Sequence, residues 1–164
     1  NHAKGDSILS MDSDLAFPLE AVLKLLNKLD EGYDLVVGSR HQQGEGAYEK
    51  KHLKTYFKSF ISVAGNKFTR LLLDLPVHDF SLNFRVIRKE MWKKLTLKER
   101  RNVMLLEMIV RVRQQGGRIT DVPVTFKDRI YGESKTELSK QAPIFLKKVL
   151  EYGIKDRFFP GKVQ

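Results

Sequence analysis

The stretch SILSMDSDLAFPLEAVLKLLNKLDEGYDLVVG, residues 7–38, carries the pattern from which the fold class follows. Ser7–Met11 is short and mostly apolar and predicts a buried strand, and Asp34–Gly38 predicts a second one. Between them, apolar residues recur at helical spacing over Leu19–Leu29, after a Pro18 that suits a first helical turn. A strand, a helix and a strand with short connections predict a βαβ unit, and therefore a parallel sheet with helices packed on it.

Downstream of this unit, helical and strand patterns continue in alternation, which predicts an α/β fold without internal repeats or a linker. The predicted elements are a loop over 40–52, a helix over Leu53–Leu73, a strand over Ser81–Ile87, a short helix over Glu90–Leu95, a helix over Val103–Gln115, a strand over Ile119–Phe126, a polar loop over Lys127–Lys135, and an amphipathic helix from about Lys140 to Phe159.

Composition narrows the class of protein. The 164 residues correspond to about one domain, and 41% apolar residues are enough for a packed core. The chain has no cysteine, which excludes a disulfide scaffold, a cysteine nucleophile and a thiolate metal site. A net charge of +10 predicts an anionic partner without choosing among nucleic acid, a membrane surface and a phosphorylated substrate. No run approaches the roughly 20 apolar residues of a membrane-spanning helix.

Asp12-Ser13-Asp14 is the first candidate for chemistry, because it follows a predicted buried strand. Open α/β sheets place their ligands at the carboxyl ends of strands, and paired carboxylates suit Mg²⁺ or Mn²⁺. Alternatively, Asp14 caps the next helix. A calcium loop is disfavoured because Leu15-Ala16-Phe17 adds no oxygen ligands. A phosphoaspartate enzyme is also disfavoured, since Ala16 stands where a Ser or Thr is expected.

Four motifs occur in a recognisable order: ILSMDSDL, DLVVGSR (34–40), HDFSLNFR (78–85) and ITDVPVTFKDRIYGESK (119–135). This succession resembles glycosyltransferase family 2, and most closely its dolichol- or polyprenyl-phosphate sugar transferases. The resemblance runs from about Gly5 to Lys135. It implies a partial GT-A fold, a Rossmann-like and mainly parallel sheet flanked by helices, over 1–139, followed by an amphipathic helix and tail over 140–164.

The resemblance also bears on the start of the chain, which opens on Asn1 without a methionine. Family members begin with a strand and a P-x-Y-N-E type segment that hold the nucleotide. We therefore expect this chain to be about the C-terminal two-thirds of a catalytic domain, lacking most of the nucleotide pocket.

The resemblance assigns roles at the first two motifs. Asp12 and Asp14 match the pair that holds a Mg²⁺ or Mn²⁺ ion on the donor diphosphate. Ala16 replaces a frequent glutamine of that metal shell, so water is expected to complete it. Arg40 matches an arginine that faces the acceptor phosphate, a task that suits the guanidinium fork. Alternatively, Arg40 is a solvent-exposed residue at the end of a strand and has no role in binding.

Further roles follow on the next helices and the third motif. Lys58 and Ser62 align approximately with an Arg and a Ser that serve the acceptor phosphate, although both could be ordinary surface residues. Asp79 is expected to approach the sugar or acceptor, and Arg85 to bind substrate or to form a structural ion pair. Glu107 matches a glutamate in an apolar helical setting. Asn83 replaces the glycine of a D-x-T-S-G-F-R pattern, and asparagine tolerates left-handed backbone well.

The last motif resembles an R-x-x-G-E-S-K lid. Arg129, Ser134 and Lys135 would contact the nucleoside diphosphate, and Gly132 would let the loop close over it and exclude water. The match in residue type, in spacing and in position after a strand distinguishes this segment from a random charged loop.

The implied reaction is inverting, metal-dependent transfer of a sugar from a GDP- or UDP-sugar to a polyprenyl or dolichyl phosphate. A phosphate acceptor is already charged at neutral pH, so it needs no strong general base. This agrees with the lack of an obvious Asp–His or Glu–His pair in the sequence. A hydroxyl acceptor would instead need a carboxylate base, and Asp79 or Glu107 would be the candidate.

The basic surface supports a peripheral location at the cytoplasmic face of a membrane. Residues 40–70 carry seven Lys or Arg against two Glu, which would face anionic headgroups. The last helix could lie in the membrane interface or pack on its own sheet. The alternative functions are a non-catalytic basic module that binds nucleic acid or another polyanion, and an inactive fragment of the transferase. No recognition helix, zinc finger or aromatic platform supports nucleic acid.

Overall fold

The computed structural model describes residues 3–13, 17–40, 53–125 and 138–158, without the side chains of 53–61, 138–140 and 156–158. It confirms the α/β class. In chain order the elements are β1 (Ser7–Met11), α1 (Leu19–Asp30), β2 (Leu35–Ser39), α2 (Leu53–Leu73), β3 (Phe84–Arg88), α3 (Lys89–Lys93), α4 (Arg101–Gln114), β4 (Ile119–Pro123) and α5 (Leu138–Phe158).

The bounds of the elements agree with the pattern to within three residues. The bounds of β1 and α2 are as predicted, while β3 begins at Phe84 rather than Ser81. The segment before Phe84 alternates as a strand does, but its backbone is bound by nearby side chains instead of by a neighbouring strand. The Asp79 carboxylate accepts the Ser81 N–H, and Arg85 donates to the Leu82 carbonyl oxygen.

The four strands form one sheet in the order β1-β3-β2-β4. β3 lies between β1 and β2 and pairs antiparallel with both, whereas β2 and β4 pair parallel. β1, β2 and β4 therefore run in one direction, and β3 alone among the described strands is reversed. β1 and β2 share a direction, as the predicted βαβ unit requires, but the antiparallel β3 lies between them, so the sheet is mixed. A pattern along one strand does not encode which strand lies beside it.

Two apolar cores cover the two faces of the sheet. On one face α1 packs through Ala21, Leu25 and Leu29 against residues of all four strands, Val36 and Val86 among them. The opposite face is covered by α4 and by parts of α2 and α5; its buried residues include Leu73, Leu106, Ile109, Val149 and Tyr152. The result is a three-layer arrangement, as helices on both sides of a sheet require.

The last helix, α5, is both part of the core and part of the surface. Val149 and Tyr152 are buried against the sheet-covering helices, which confirms packing on the domain. Ile144 and Ile154 are instead more than half exposed. Among the described residues, no helix is long and apolar enough to cross a membrane.

Gly38 in β2 is a point of close approach. A Cβ there would lie 2.6 Å from Phe84 Cδ1 and 3.2 Å from the carbonyl oxygen of Phe84 and from Val124 Cγ2. Phe84 itself stacks on Phe17 with ring centroids 4.4 Å apart, so it has little room to move.

We expect Gly38→Ala to lower the free energy of unfolding by about 1–3 kcal/mol, because the added methyl overpacks the contact with Phe84. Urea denaturation measures the change. Gly65→Ala is the matched control, since nothing lies within 4 Å of its added Cβ, and in a helix interior alanine is stabilising relative to glycine. An unfolding midpoint for Gly38→Ala equal to that of the wild type would contradict the close approach.

Candidate active site

The carboxyl ends of β1, β2 and β4 meet the amino end of β3 at one edge of the sheet. Met11 pairs with Phe84, and Ser39 pairs with Pro123. The residues that follow β1 and β2 and precede β3 therefore lie together. The edge collects Asp12, Arg40 and the segment 79–83, from three of the four motifs singled out in the sequence.

Arg40 and Asp79 form a forked ion pair at this edge. Arg40 Nε donates to Asp79 Oδ2 at 2.7 Å, and Arg40 Nη2 donates to Asp79 Oδ1 at 3.2 Å. The Asp79 side chain is fully buried, and that of Arg40 is 13% exposed. Ser81 adds its backbone N–H and its hydroxyl to Asp79 Oδ1, so both carboxylate oxygens are occupied. Such an Asp79 orients the arginine and is poorly placed to take a proton from a substrate.

Asp12 lies at the surface end of the same edge. Asn83 donates from Nδ2 to Asp12 Oδ1 at 2.9 Å and accepts the Ser10 hydroxyl at Oδ1 at 2.7 Å. Asp12 is exposed and follows β1 directly. The Asp12 carboxylate is a hard oxygen donor of the kind that Mg²⁺ and Mn²⁺ prefer, so it fits such an ion, while Ser10 and Asn83 are engaged with each other. Asp14 lies outside the described residues, and within them no cluster of three His, Cys, Asp or Glu side chains forms a metal site.

Arg85 points away from this edge into the core. Its side chain is 1% exposed and donates to the carbonyl oxygens of Leu105 at 2.7 Å and Leu82 at 2.6 Å. Burial lowers the pKa of Arg85 to about 10, and the nearby charge of Asp79 opposes that shift. The guanidinium thus remains charged at neutral pH. These contacts are structural, and they join Arg85 to backbone carbonyl oxygens rather than to the carboxylate of the expected structural ion pair.

Glu107 is also buried, and its carboxylate binds groups from two parts of the chain. It is 0% exposed and accepts the backbone N–H groups of Lys98 and Glu99 at 2.9 and 2.8 Å. Arg111 Nε donates to its other oxygen at 2.7 Å. The carboxylate ties the segment before α4 to the helix itself. Its surroundings, like those of Asp79, do not present it to a substrate as a base.

The remaining predicted site residues divide into two groups. Ser62 lies half-buried on α2, and Lys58 belongs to the same helix but its side chain is outside the described part. Arg129, Ser134 and Lys135 also lie outside the described residues, so the lid role stays a prediction. Thr125 is the last described residue before that segment, next to the carboxyl end of β4.

Comparison with known proteins identifies the family. A family model described as glycosyl transferase family 2 matches residues 1–96. The chain belongs to glycosyl transferase family 2. Polyprenol monophosphomannose synthase of Mycolicibacterium smegmatis is 30% identical over 158 residues, covering 94% of this chain and 58% of that protein. Dolichyl-phosphate hexose transferase of Haloferax volcanii is 28% identical over 134 residues, covering 79% and 54%. The chain thus spans a little over half the length of these relatives.

Solved structures agree on the fold. Glucosyl-3-phosphoglycerate synthase of Mycobacterium tuberculosis, in complex with Mn²⁺ and UDP-glucose, superposes with a TM-score of 0.63 at 17% identity, covering 92% of this family 2 chain and 50% of that one. Its complex with UDP gives 0.59 at 15% identity. The expected partial GT-A fold is therefore confirmed.

Polar contacts between residues far apart in the sequence hold the 78–83 segment, and no sequence motif predicts them. Asp121, buried in β4, accepts the His78 backbone N–H at 2.7 Å and lies 3.0 Å from His78 Nδ1. Arg70 lies 2.6 Å from His78 Nε2. Asn66, on α2, accepts the Phe80 backbone N–H at 3.0 Å.

The His78–Asp121 contact is an Asp–His pair that is not obvious in the sequence. The two residues are 43 positions apart, and no local spacing signals that they meet. Because Arg70 lies against Nε2 and Asp121 against Nδ1, the pair holds the loop rather than facing a substrate.

Glu107→Gln is expected to lower the free energy of unfolding by about 3 kcal/mol, because it leaves Arg111 buried beside a neutral group. The amide N–H₂ of the new glutamine would also face N–H groups of Lys98, Glu99 or Arg111, which donate and cannot accept. Guanidinium denaturation measures the loss. Glu90→Gln, in an exposed pair with Lys93, is the control and should leave the midpoint unchanged. Equal midpoints for the two variants would show that Glu107 does not organise the fold.

Proposed function

We propose that the protein containing this chain transfers a sugar from a nucleotide-sugar to a polyprenyl or dolichyl phosphate, with inversion at the anomeric carbon. The main support for the proposal is that both candidate bases are already engaged in buried hydrogen bonds. Asp79 and Glu107 are both buried and bound by arginine and N–H donors. An acceptor hydroxyl would need such a carboxylate free, whereas a phosphate acceptor arrives already ionised.

Arg40 is the acceptor-binding group in this proposal. Its guanidinium sits at the carboxyl edge of the sheet, with its orientation set by Asp79 and Ser81. A preoriented guanidinium binds phosphate oxygens without losing much side-chain entropy on binding. Lys58 and Ser62 would add to the same phosphate from α2. The names of the curated relatives, one acting with polyprenol and one with dolichyl phosphate, support this acceptor class.

The donor side of the proposal rests on Asp12 and Asp14. These carboxylates would hold a Mg²⁺ or Mn²⁺ ion, which offsets charge on the nucleoside diphosphate leaving group when bound. Asp12 is exposed at the strand end and available to a ligand. A solved structure of the same fold contains Mn²⁺ together with UDP-glucose, which supports a divalent ion here. Arg129, Ser134 and Lys135 would close over the diphosphate.

Asp14→Asn should reduce sugar transfer to polyprenyl phosphate by at least about a hundredfold, because one anionic ligand of the cation is lost. The assay uses radiolabelled GDP- and UDP-sugars with the longest open reading frame that contains these residues, with and without EDTA. Asp30→Asn, on the exposed end of α1, is the control and should retain full activity. Undiminished transfer by Asp14→Asn would refute the metal assignment, and salt-sensitive RNA binding without transfer would favour the polyanion module.

Peripheral attachment to the cytoplasmic face of a membrane is part of the same proposal. The supporting surface is on α2 and α5, which pack closely enough that a Cβ on Gly153 would lie 2.9 Å from Leu72 Cγ. Its exposed apolar members are Phe68, Leu71, Leu72, Ile144, Leu146, Leu150 and Ile154. Exposed Lys67, Arg70, Lys147 and Lys155 lie on the same helices. Apolar side chains with flanking cations fit an anionic bilayer surface.

Replacing Leu71 and Ile154 with glutamine should weaken binding to phosphatidylglycerol vesicles by about tenfold for each side chain, given the apolar area each would bury. Leu71 is 83% exposed and Ile154 58% exposed, so folding should be unaffected. Leu19→Gln with Leu23→Gln is the matched control on α1, 74% and 56% exposed, across the sheet. Cosedimentation measures binding; equal loss in both pairs would overturn the assignment of this face.

A further inference from the structure

Asn83 connects Ser10 of β1 with Asp12, the residue that follows this strand, at the edge of the sheet. Its Nδ2 donates to Asp12 Oδ1 at 2.9 Å, and its Oδ1 accepts the Ser10 hydroxyl at 2.7 Å. The pairing of β1 with β3 ends at Met11 with Phe84, so the next residue on each strand, Asp12 and Asn83, continues that register. The side chain thus closes the sheet where backbone pairing stops.

The orientation of this amide is determined by its partners. A carboxylate accepts and does not donate, so the nitrogen of Asn83 must face Asp12 and the oxygen must face Ser10. With both ends of the amide used, its side chain is held in one rotamer. Asp12 Oδ1 therefore receives a donor of fixed position, on a residue that is itself exposed.

The backbone that carries Asn83 is itself held. Leu82 gives its carbonyl oxygen to buried Arg85 at 2.6 Å, and Phe80 gives its N–H to buried Asn66 at 3.0 Å. On the other side Asn83 leads directly into β3. Because this backbone is fixed by buried residues, the Asn83 side chain holds Asp12 in a fixed position relative to the core.

The matching position in the family pattern is a glycine, which has no side chain to reach Asp12. The sequence suggested that Asn83 replaces it by tolerating left-handed backbone. That interpretation is wrong, because among the described non-glycine residues positive φ occurs at Asp74 and Arg101 and not at Asn83. The contribution of Asn83 is its amide.

We propose that Asn83 is a positioning residue that orients the Asp12 carboxylate for a divalent cation and its nucleoside diphosphate. The inference rests on the proposed function. Outer partners of metal-binding side chains hold them in one orientation, and their loss typically costs about tenfold to a hundredfold in metal affinity.

The test compares Mn²⁺ binding by wild type, Asn83→Ala and Ser10→Ala in the presence of UDP or GDP. Titration calorimetry gives the affinity, and Mn²⁺ broadening of the backbone amide signals of residues 10–13 gives the location. We expect Asn83→Ala to weaken Mn²⁺ binding by about tenfold or more. Ser10→Ala, which keeps Asn83 but frees its amide, should weaken it by about threefold. Asn27→Ala, exposed on α1, should bind as the wild type does.

A double variant separates positioning from general damage. If Ser10 acts through Asn83, adding Ser10→Ala to Asn83→Ala should cause no further loss. Sugar transfer by Asn83→Ala should need about tenfold more Mn²⁺ for half-maximal rate and recover at saturating Mn²⁺, which a misfolded protein would not do.

The outcomes distinguish a failure of the positioning role of Asn83 from a failure of the proposed metal site. If Mn²⁺ does not broaden the signals of residues 10–13 in the wild type, the proposed metal site is refuted, and the role of Asn83 is refuted with it. Wild-type binding with unchanged affinity in Asn83→Ala would overturn the inference alone. If Asn83→Ala does not fold, Ser10→Ala decides: unchanged Mn²⁺ affinity in that variant rejects the proposal.

Discussion

The reversed strand β3, inserted between β1 and β2, is the constraint on which the candidate site depends. Because β3 runs opposite to its neighbours, its beginning meets their ends. The segment that leads into β3 is thereby delivered to the carboxyl edge of the sheet, where Asp79 reaches Arg40 and Asn83 reaches Asp12. A parallel β3 would carry that segment to the opposite edge, and the two halves of the site would not meet.

Buried polar contacts then hold this segment in place. Arg85 binds the carbonyl of Leu82, Asn66 binds the N–H of Phe80, and Asp121 binds the N–H of His78. Burying such groups costs desolvation energy, which well-formed hydrogen bonds largely offset rather than exceed. Their main effect is therefore specificity of position. A phosphate or metal site needs that, because its charges act over short distances in fixed directions.

The sequence was informative where structure is local. Apolar periodicity located the helices and strands, and the order of short motifs led to the family. It was weaker for the roles of charged residues. Arg85 and Glu107 were singled out as site residues, but a strand or helix pattern does not tell whether a charged side chain faces a ligand or a buried partner. In the fold both side chains are buried: Arg85 donates to the carbonyl oxygen of Leu105, and Glu107 accepts the backbone N–H of Lys98.

By itself the sequence determined the α/β class, the elements, and the placing of carboxylates and cations after the strands, since these follow from spacing between near neighbours. The tertiary structure decided the strand order, the burial of Asp79 and the contact between Asn83 and Asp12. Those last two residues are 71 positions apart. Such contacts arise when separate strands pair and exclude water, and the energy of that pairing belongs to no single segment of the chain.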